Sequence, residues 1–194
     1  MMKTGENSFY VRYGKNIFDR FFAFLFLLLF WWLYLLCALL VCCDSGFPAV
    51  YTQARMGKGG KTFSIYKFRS MVKNADRIGP AYTTQGDTRI TRIGRVLRKT
   101  SLDELPQIFN ILKGDMSFVG FRPDVVREED DYSQEKYLMK PGITGLAQVN
   151  GRSNLTEKEK LYWENLYTSK VSFLTDVKII AKTLAVVLKK QGTN

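Results

Sequence analysis

The 194-residue sequence contains no histidine. That excludes imidazole metal sites and removes the commonest general base near neutral pH. Any catalysis must therefore run on carboxylates, Lys and Arg, hydroxyls, or a metal held by oxygen. Cysteine is scarce as well: Cys37, Cys42 and Cys43 all fall in one apolar stretch. They read as small hydrophobes and fit neither a disulfide framework nor a zinc spacing. Acidic residues are nearly missing from residues 55–99, where twelve Lys/Arg stand against Asp76 and Asp87 alone, a local net of +10 out of +11 for the chain. Residues 100–194 hold thirteen of each sign. Such a basic region attracts anionic lipid head groups, nucleotides or nucleic acid, and is equally the wet face of an ordinary domain. The length suits one domain plus an anchor, and 46% hydrophobic with 24% charged residues suits a protein with a core.

What is present in excess is apolar length. Residues 21–43, FFAFLFLLLFWWLYLLCALLVCC, carry no charge and lie between Arg20 and Asp44. At ~1.5 Å per residue the run matches a hydrocarbon core, and it is too long for the apolar part of a cleaved leader. Membrane insertion is expected. The mode stays open on physical grounds. Basic residues flank both sides (Lys3, Arg12, Lys15, Arg20; Arg55, Lys58, Lys61, Lys67, Arg69), which suits a segment that dips and returns rather than a span with its usual bias. Against a dip, no Pro or Gly interrupts the run. Trp31, Trp32 and Tyr34 sit mid-run, away from where a straight span places its interfacial aromatics.

Beyond a turn at Asp44-Ser45-Gly46-Phe47-Pro48, the alternation of Phe63, Ile65 and Phe68 predicts a short strand after the tight basic turn Gly57-Lys58-Gly59-Gly60-Lys61. That turn lacks the ending of a nucleotide P-loop. Residues 89–99 read as an amphipathic helix, with Ile90, Ile93 and Leu97 opposite Arg89, Arg92, Arg95 and Lys99. Ser101-Leu102-Asp103-Glu104 matches a capping box, so a second helix is expected from Ser101, with Leu105, Ile108, Phe109 and Leu112 as its apolar face. Asp103 and Glu104 would then sit at a helix N-terminus, either as plain capping acids or as a site acting with the arginines before it. Gly120-Phe121-Arg122-Pro123, Lys140-Pro141-Gly142-Ile143-Thr144-Gly145 and Gln148-Val149-Asn150-Gly151-Arg152 are turns carrying cations, and arginine matches phosphate oxygens two at a time. Leu174, Val177, Ala181, Leu184 and Leu188 follow helical spacing beside Lys178, Lys182, Lys189 and Lys190, as a docked or a membrane-surface helix would.

IYKFRSM (65–71), TRITRIGRVLRKTSLDELPQIFNILKGDMSFVGFRP (88–123) and KPGITGLAQVNGR (140–152) resemble the bacterial sugar transferase family, the small monotopic polyprenyl-phosphate phosphoglycosyl transferases. The resemblance runs from about residue 15 to about residue 190. It implies transfer of a phospho-sugar from a UDP-sugar to undecaprenyl phosphate on the cytoplasmic face of the bacterial inner membrane, with Mg²⁺. The family's acidic dyad falls on Asp103 and Glu104. By that carry-over Asp103 attacks the β-phosphate, releases UMP and holds a covalent phospho-sugar, while Glu104 supports the metal with Asp103. Lys67, Arg69 and Arg122 become phosphate-binding residues; Gln148, Asn150, Arg152 and Asp176 become donor-site candidates. The fold expected is α+β and mainly helical, with a small sheet, one membrane-inserted re-entrant helix and amphipathic interfacial helices. Residues 1–48 would form the anchor and 49–194 the cytoplasmic catalytic domain. A homodimer stays open, and nucleic acid is not expected as a partner.

Two departures stand out. The family's Ser-Pro pair inside the apolar segment is replaced by Trp31-Trp32, and its Pro-Arg-Pro by Phe121-Arg122-Pro123, which leaves the Arg122 backbone freer on one side. The competing reading is a non-catalytic membrane scaffold or anionic-lipid-binding module. It accounts for anchor and basicity but not for the Asp103–Glu104 pair.

Overall fold

The computed structural model describes residues 9–79, 86–127, 132–151 and 154–188. A short π-helical turn, Tyr10–Gly14, leads into α1, Lys15–Ser45, and Tyr10–Ser45 is the one helix among the described residues long and apolar enough to cross a membrane. It is not straight. Phe30 departs from helical geometry (φ −118°, ψ 17°), and the Trp32 indole Nε1 donates to the Leu29 carbonyl at 3.2 Å. A side chain entering the backbone ladder is one of the few recognised causes of a kink. The break that the missing proline left unexplained is thus present, beside the Trp31-Trp32 pair.

Both ends of α1 are tied to the same body. Near its start, Asn16 Oδ1 accepts from Lys140 Nζ (2.7 Å) and Asp19 Oδ1 from the Phe118 N–H (3.3 Å). At its end, Asp44 Oδ2 accepts from the Ile93 N–H (3.0 Å), and the Gly46 carbonyl accepts from the Arg69 guanidinium. Between them Ala23, Cys37 and Val41 are buried, whereas Phe24, Leu28, Leu29, Trp31, Leu35 and Leu39 are exposed.

The strand expected from the alternation is β2, Thr62–Phe68; its antiparallel partner β1, Val50–Met56, was not foreseen. The register runs from Val50↔Phe68 to Met56↔Thr62. The turn Lys58–Gly60 joins them, with Gly59 and Gly60 at φ 67° and 70°, where a Cβ is disfavoured. After α2, Ala75–Ile78, the arginine-rich segment forms α3, Arg92–Thr100, capped by the Thr91 hydroxyl. Ser101 corrects the capping-box expectation. It closes α3 in the left-handed region (φ 58°), its N–H on the Arg98 carbonyl, and its side chain caps nothing. A single 3₁₀ turn, Leu102–Glu104, follows, and α4 spans only Gln107–Lys113 with Pro106 before its first residue.

Helix α4 lies along the edge of β2. The buried Asn110 side chain accepts from the Tyr66 N–H (3.0 Å) and donates to the Ser64 carbonyl (2.7 Å), taking the place of a third strand. A second sheet pairs β3, Ser117–Val119, in parallel with β4, Gly142–Thr144. A Cβ on Gly120 would meet the Lys140 carbonyl oxygen at 2.2 Å, and one on Gly145 the Gly120 oxygen at 1.9 Å. Glycine here allows backbone to lie on backbone. Helices α5 (Leu146–Asn150), α6 (Glu157–Ser169) and α7 (Phe173–Leu188) complete the chain. In α7 the expected apolar stripe points outward: Leu174, Val177 and Leu184 are exposed, while Asp176 and Ile179 face the core. The architecture is mainly helical with two small sheets.

Replacing Asn110 with Ala removes two hydrogen bonds, to the Tyr66 N–H and the Ser64 carbonyl, at about 1 kcal/mol each. Thermal unfolding of the detergent-held protein is expected to show a clearly lowered midpoint for Asn110→Ala, with the unfolding transition still cooperative.

Candidate active site

The 3₁₀ turn Leu102–Glu104 is braced by Leu102 and Leu105, which pack into the cluster of Cys37, Val41, Ala49, Phe68 and Leu97. The dyad is thereby held where α1, β2 and α3 meet. Glu104 Oε1 accepts from Lys67 Nζ of β2 at 3.0 Å and from the Arg122 guanidinium at 3.3 Å. Burial pushes the Glu104 carboxyl up, but the charges and hydrogen bonds of Lys67 and Arg122 outweigh it and hold it at about 2. The neighbouring Asp103 goes the other way. Burial first, then the Glu104 charge, raises its carboxyl above the ordinary range, against the pull of Lys67, Arg98 and Arg122. Among the described residues Asp103 has no hydrogen-bond or ion-pair partner. Two adjacent carboxylates are thus pushed apart: one held ionised and fixed by its cations, one more basic and unengaged.

The loop after β3 presents Arg122. Phe121 is buried and stacks edge-on against Tyr137 (centroids 5.2 Å), and its carbonyl accepts from the Gly142 N–H (2.8 Å). The Arg122 N–H donates to Glu164 Oε1 (3.2 Å). The backbone expected to be freer for want of a proline is held by burial and hydrogen bonds instead.

A family model described as bacterial sugar transferase matches residues 10–190. The chain belongs to the bacterial sugar transferase family. It is 45% identical over 166 residues to an undecaprenyl-phosphate galactose phosphotransferase of Salmonella typhimurium, covering 76% of this chain and 35% of the relative. To a UDP-N-acetylgalactosamine-undecaprenyl-phosphate N-acetylgalactosaminephosphotransferase of Aeromonas hydrophila it is 39% identical over 164 residues, 80% of this chain and 39% of that protein. To a UDP-glucose:undecaprenyl-phosphate glucose-1-phosphate transferase of Caulobacter vibrioides it is 40% identical over 181 residues, 88% and 68% respectively. The chain thus spans about a third of the length of several relatives and about two thirds of another.

Of the residues that the resemblance to this family picked out, the structure brings Asp103, Glu104, Lys67 and Arg122 together. It does not bring Arg69, which is buried with its guanidinium on the Gly46 carbonyl and so closes the exit of α1. Asp176 is also placed elsewhere: its carboxylate takes Lys15 Nζ, the Tyr10 hydroxyl (2.8 Å) and the Tyr167 hydroxyl (2.6 Å), locking α1 to α6 and α7. Asn150 is spent on Lys182 (2.8 Å) and the Leu146 carbonyl (2.8 Å). Gln148 is buried with both amide atoms unpartnered among the described residues. Arg152 lies outside the described residues. Sequence reading missed Arg98, whose charge acts on Asp103 and whose Nε donates to Ser70 Oγ (2.8 Å). It also missed Arg55, which donates to Gln53 Oε1 (2.6 Å) and the Pro123 carbonyl (3.3 Å). Arginine spacing around the dyad could have found the first; the second depends on an unforeseen strand.

The opposed shifts predict opposed effects on stability. Glu104 is held below its unfolded range, so its contribution is present above about pH 4.5 and is lost as pH falls from there toward 2. Asp103 is raised, so its ionisation weakens the fold as pH climbs through and above its ordinary 3.8. At pH 7, Glu104→Gln is expected to lower the unfolding midpoint and Asp103→Asn to raise it. The Glu104→Gln deficit should shrink as unfolding is measured at successively lower pH below about 4.5.

Proposed function

We propose that the protein transfers a phospho-sugar from a UDP-sugar to undecaprenyl phosphate, releasing UMP, through a covalent intermediate on Asp103. The observation that carries this reading is the split pair: Glu104 held ionised by Lys67 and Arg122, beside an Asp103 carboxylate that burial makes more basic and that has no partner among the described residues. The names of the relatives, which couple undecaprenyl phosphate with galactose, N-acetylgalactosamine or glucose, support the same reaction class.

The Asp103 carboxylate attacks the phosphorus that carries the sugar. An aspartyl-phosphate bond forms as the bond to the bridging oxygen breaks, and the electron pair leaves with UMP. The phosphate oxygen of the lipid then attacks the same phosphorus, restoring free Asp103 and giving the diphosphate-linked lipid sugar. One hard displacement becomes two easier ones. The cations gathered at the dyad, Lys67 and Arg122 with Arg98 nearby, exceed what Glu104 alone neutralises, and can offset phosphoryl charge in the transition state.

A divalent cation fits the residues present in one form only. Among the described residues no group of three or more acids or other metal-binding side chains gathers, but magnesium commonly takes one or two carboxylates and fills its shell with water and substrate phosphate. Asp103 and Glu104 Oε2 are the oxygens that would hold it. Bound with the donor, Mg²⁺ would withdraw charge from the diphosphate and ease departure of UMP.

Topologically we propose that α1 enters and leaves the same, cytoplasmic, leaflet of the bacterial inner membrane. The hydrogen bonds at both of its ends and the break at Phe30 support a dip, and the exposed apolar faces of α1 and α7 support an interfacial seat for the whole body.

Purified protein in nanodiscs, given UDP-sugars, Mg²⁺ and undecaprenyl phosphate, is expected to release UMP and no UDP. Asp103→Asn and the charge-conserving Asp103→Glu should each lower the rate at least about 10³-fold, as loss of a covalent nucleophile does. UDP as product or an unaffected Asp103→Glu rate would overturn the covalent route through Asp103, and no release by the wild type with any donor would favour the scaffold. For the topology, single cysteines at Asn16 and Ser45, in a chain whose Cys37, Cys42 and Cys43 are replaced by Ala, should react with an impermeant maleimide from the same side of sealed vesicles. Labelling from opposite sides would mean a span.

A further inference from the structure

The loop that carries Arg122 is held at every residue from Phe121 to Val125 by groups from three other parts of the chain. The Phe121 carbonyl accepts from Gly142, and the Pro123 carbonyl from Arg55 at 3.3 Å. The Asp124 carbonyl accepts from the Met56 N–H at 2.9 Å, and Val125 bridges to Arg55. The N–H of Arg122 itself donates to a carboxylate: Glu164 Oε1 on α6, at 3.2 Å. Glu164 is 2% exposed.

A carboxylate that deep is costly unless it is paired and hydrogen-bonded. The pairing is there. Lys136 Nζ stands 3.2 Å from Glu164 Oε2 and 2.6 Å from Asp124 Oδ2. Lys160 Nζ stands 3.0 Å from Asp124 Oδ1, and the Tyr137 hydroxyl donates to Asp124 Oδ2 at 2.9 Å. Two acids and two lysines thus form a neutral network directly behind the loop. From this network Glu164 bonds to the Arg122 backbone. The Arg122 side chain is half exposed and, among the described residues, held by Glu104 alone, so its aim depends on where the loop puts its Cα.

We infer that Glu164 is a positioning residue for Arg122, setting through the main chain the direction in which that guanidinium meets the phosphoryl group. The inference rests on the phosphoryl-transfer reading above. Donors placed in advance are worth most in a transition state, and a slack backbone loses that placement without removing the charge. A plain structural role for Glu164, docking α6, would lower stability but would act independently of Arg122.

A double-mutant cycle in the full-length nanodisc-held protein separates the two. Glu164→Ala is expected to lower kcat for UMP release by about 10-fold to 100-fold, the range typical of residues that orient a working group. In an Arg122→Ala background it should cost less than about 3-fold, because coupled residues are non-additive. Glu164→Gln keeps the acceptor oxygen and should stay within about 3-fold of wild type. Hydrogen exchange supplies a readout that needs no turnover: the peptide spanning residues 119–125 should exchange faster in Glu164→Ala but not in Glu164→Gln, with α7 unchanged. Equal losses in both backgrounds, Gln as damaging as Ala, or unchanged exchange in 119–125 would each overturn the inference. If wild type releases no UMP with any donor, the proposed function fails, and the exchange result alone then decides the role of Glu164.

Discussion

The arrangement depends on one carboxylate shared between two cations. Glu104 takes Lys67 from β2 and Arg122 from the loop after β3 onto a single oxygen, and so ties the hairpin to the second sheet across the turn that carries Asp103. An ion pair of this kind at the surface would be worth little, since water and salt screen it and the side chains lose freedom. Partly buried, it has a different result. It fixes three elements relative to one another, and it removes Glu104 from proton exchange at any ordinary pH while leaving Asp103 the less comfortable charge.

Two further polar clusters serve that arrangement from behind. Asp176 gathers Lys15, Tyr10 and Tyr167, which fastens the start of α1 to the last two helices. Asp124, Glu164, Lys136 and Lys160 brace the Arg122 loop. Each is an acid surrounded by donors from segments distant in sequence. Such clusters are costly when incomplete and specify one geometry when complete. Apolar burial by itself would leave the dyad's surroundings free to slide, because hydrophobic contact has no preferred direction.

Much of the site was legible as residues and little of it as geometry. Asp103, Glu104, Lys67 and Arg122 could be named because long motifs surround them. Arg69 and Asp176 were named on the same grounds, yet the fold uses them to close α1 and to lock its start. A motif records that a residue type recurs at a position, not which way its side chain points. The capping box at Ser101 failed for a physical reason of the same sort: the end of α3 claims Ser101 for a left-handed turn, so its hydroxyl cannot also open α4. The unforeseen β1 has a plainer cause. Val50–Met56 shows no clean alternation, and its pairing with β2, not its own pattern, makes it a strand.

By itself the sequence determined that this chain carries an uncharged apolar run long enough to match a membrane, that it supplies no imidazole to any chemistry, and that an acidic pair follows an arginine-rich helix in a mainly helical domain. Those properties follow from composition and local period, which need no knowledge of distant neighbours. Only the tertiary structure decided that α1 breaks at Phe30 and returns both ends to one body, that Glu104 is paired with two cations while Asp103 is not, and that Glu164, forty-two residues after Arg122, holds its backbone. Hydrogen bonds and ion pairs act over a few ångströms of space, and separation along the chain does not reveal which groups folding will bring within that reach.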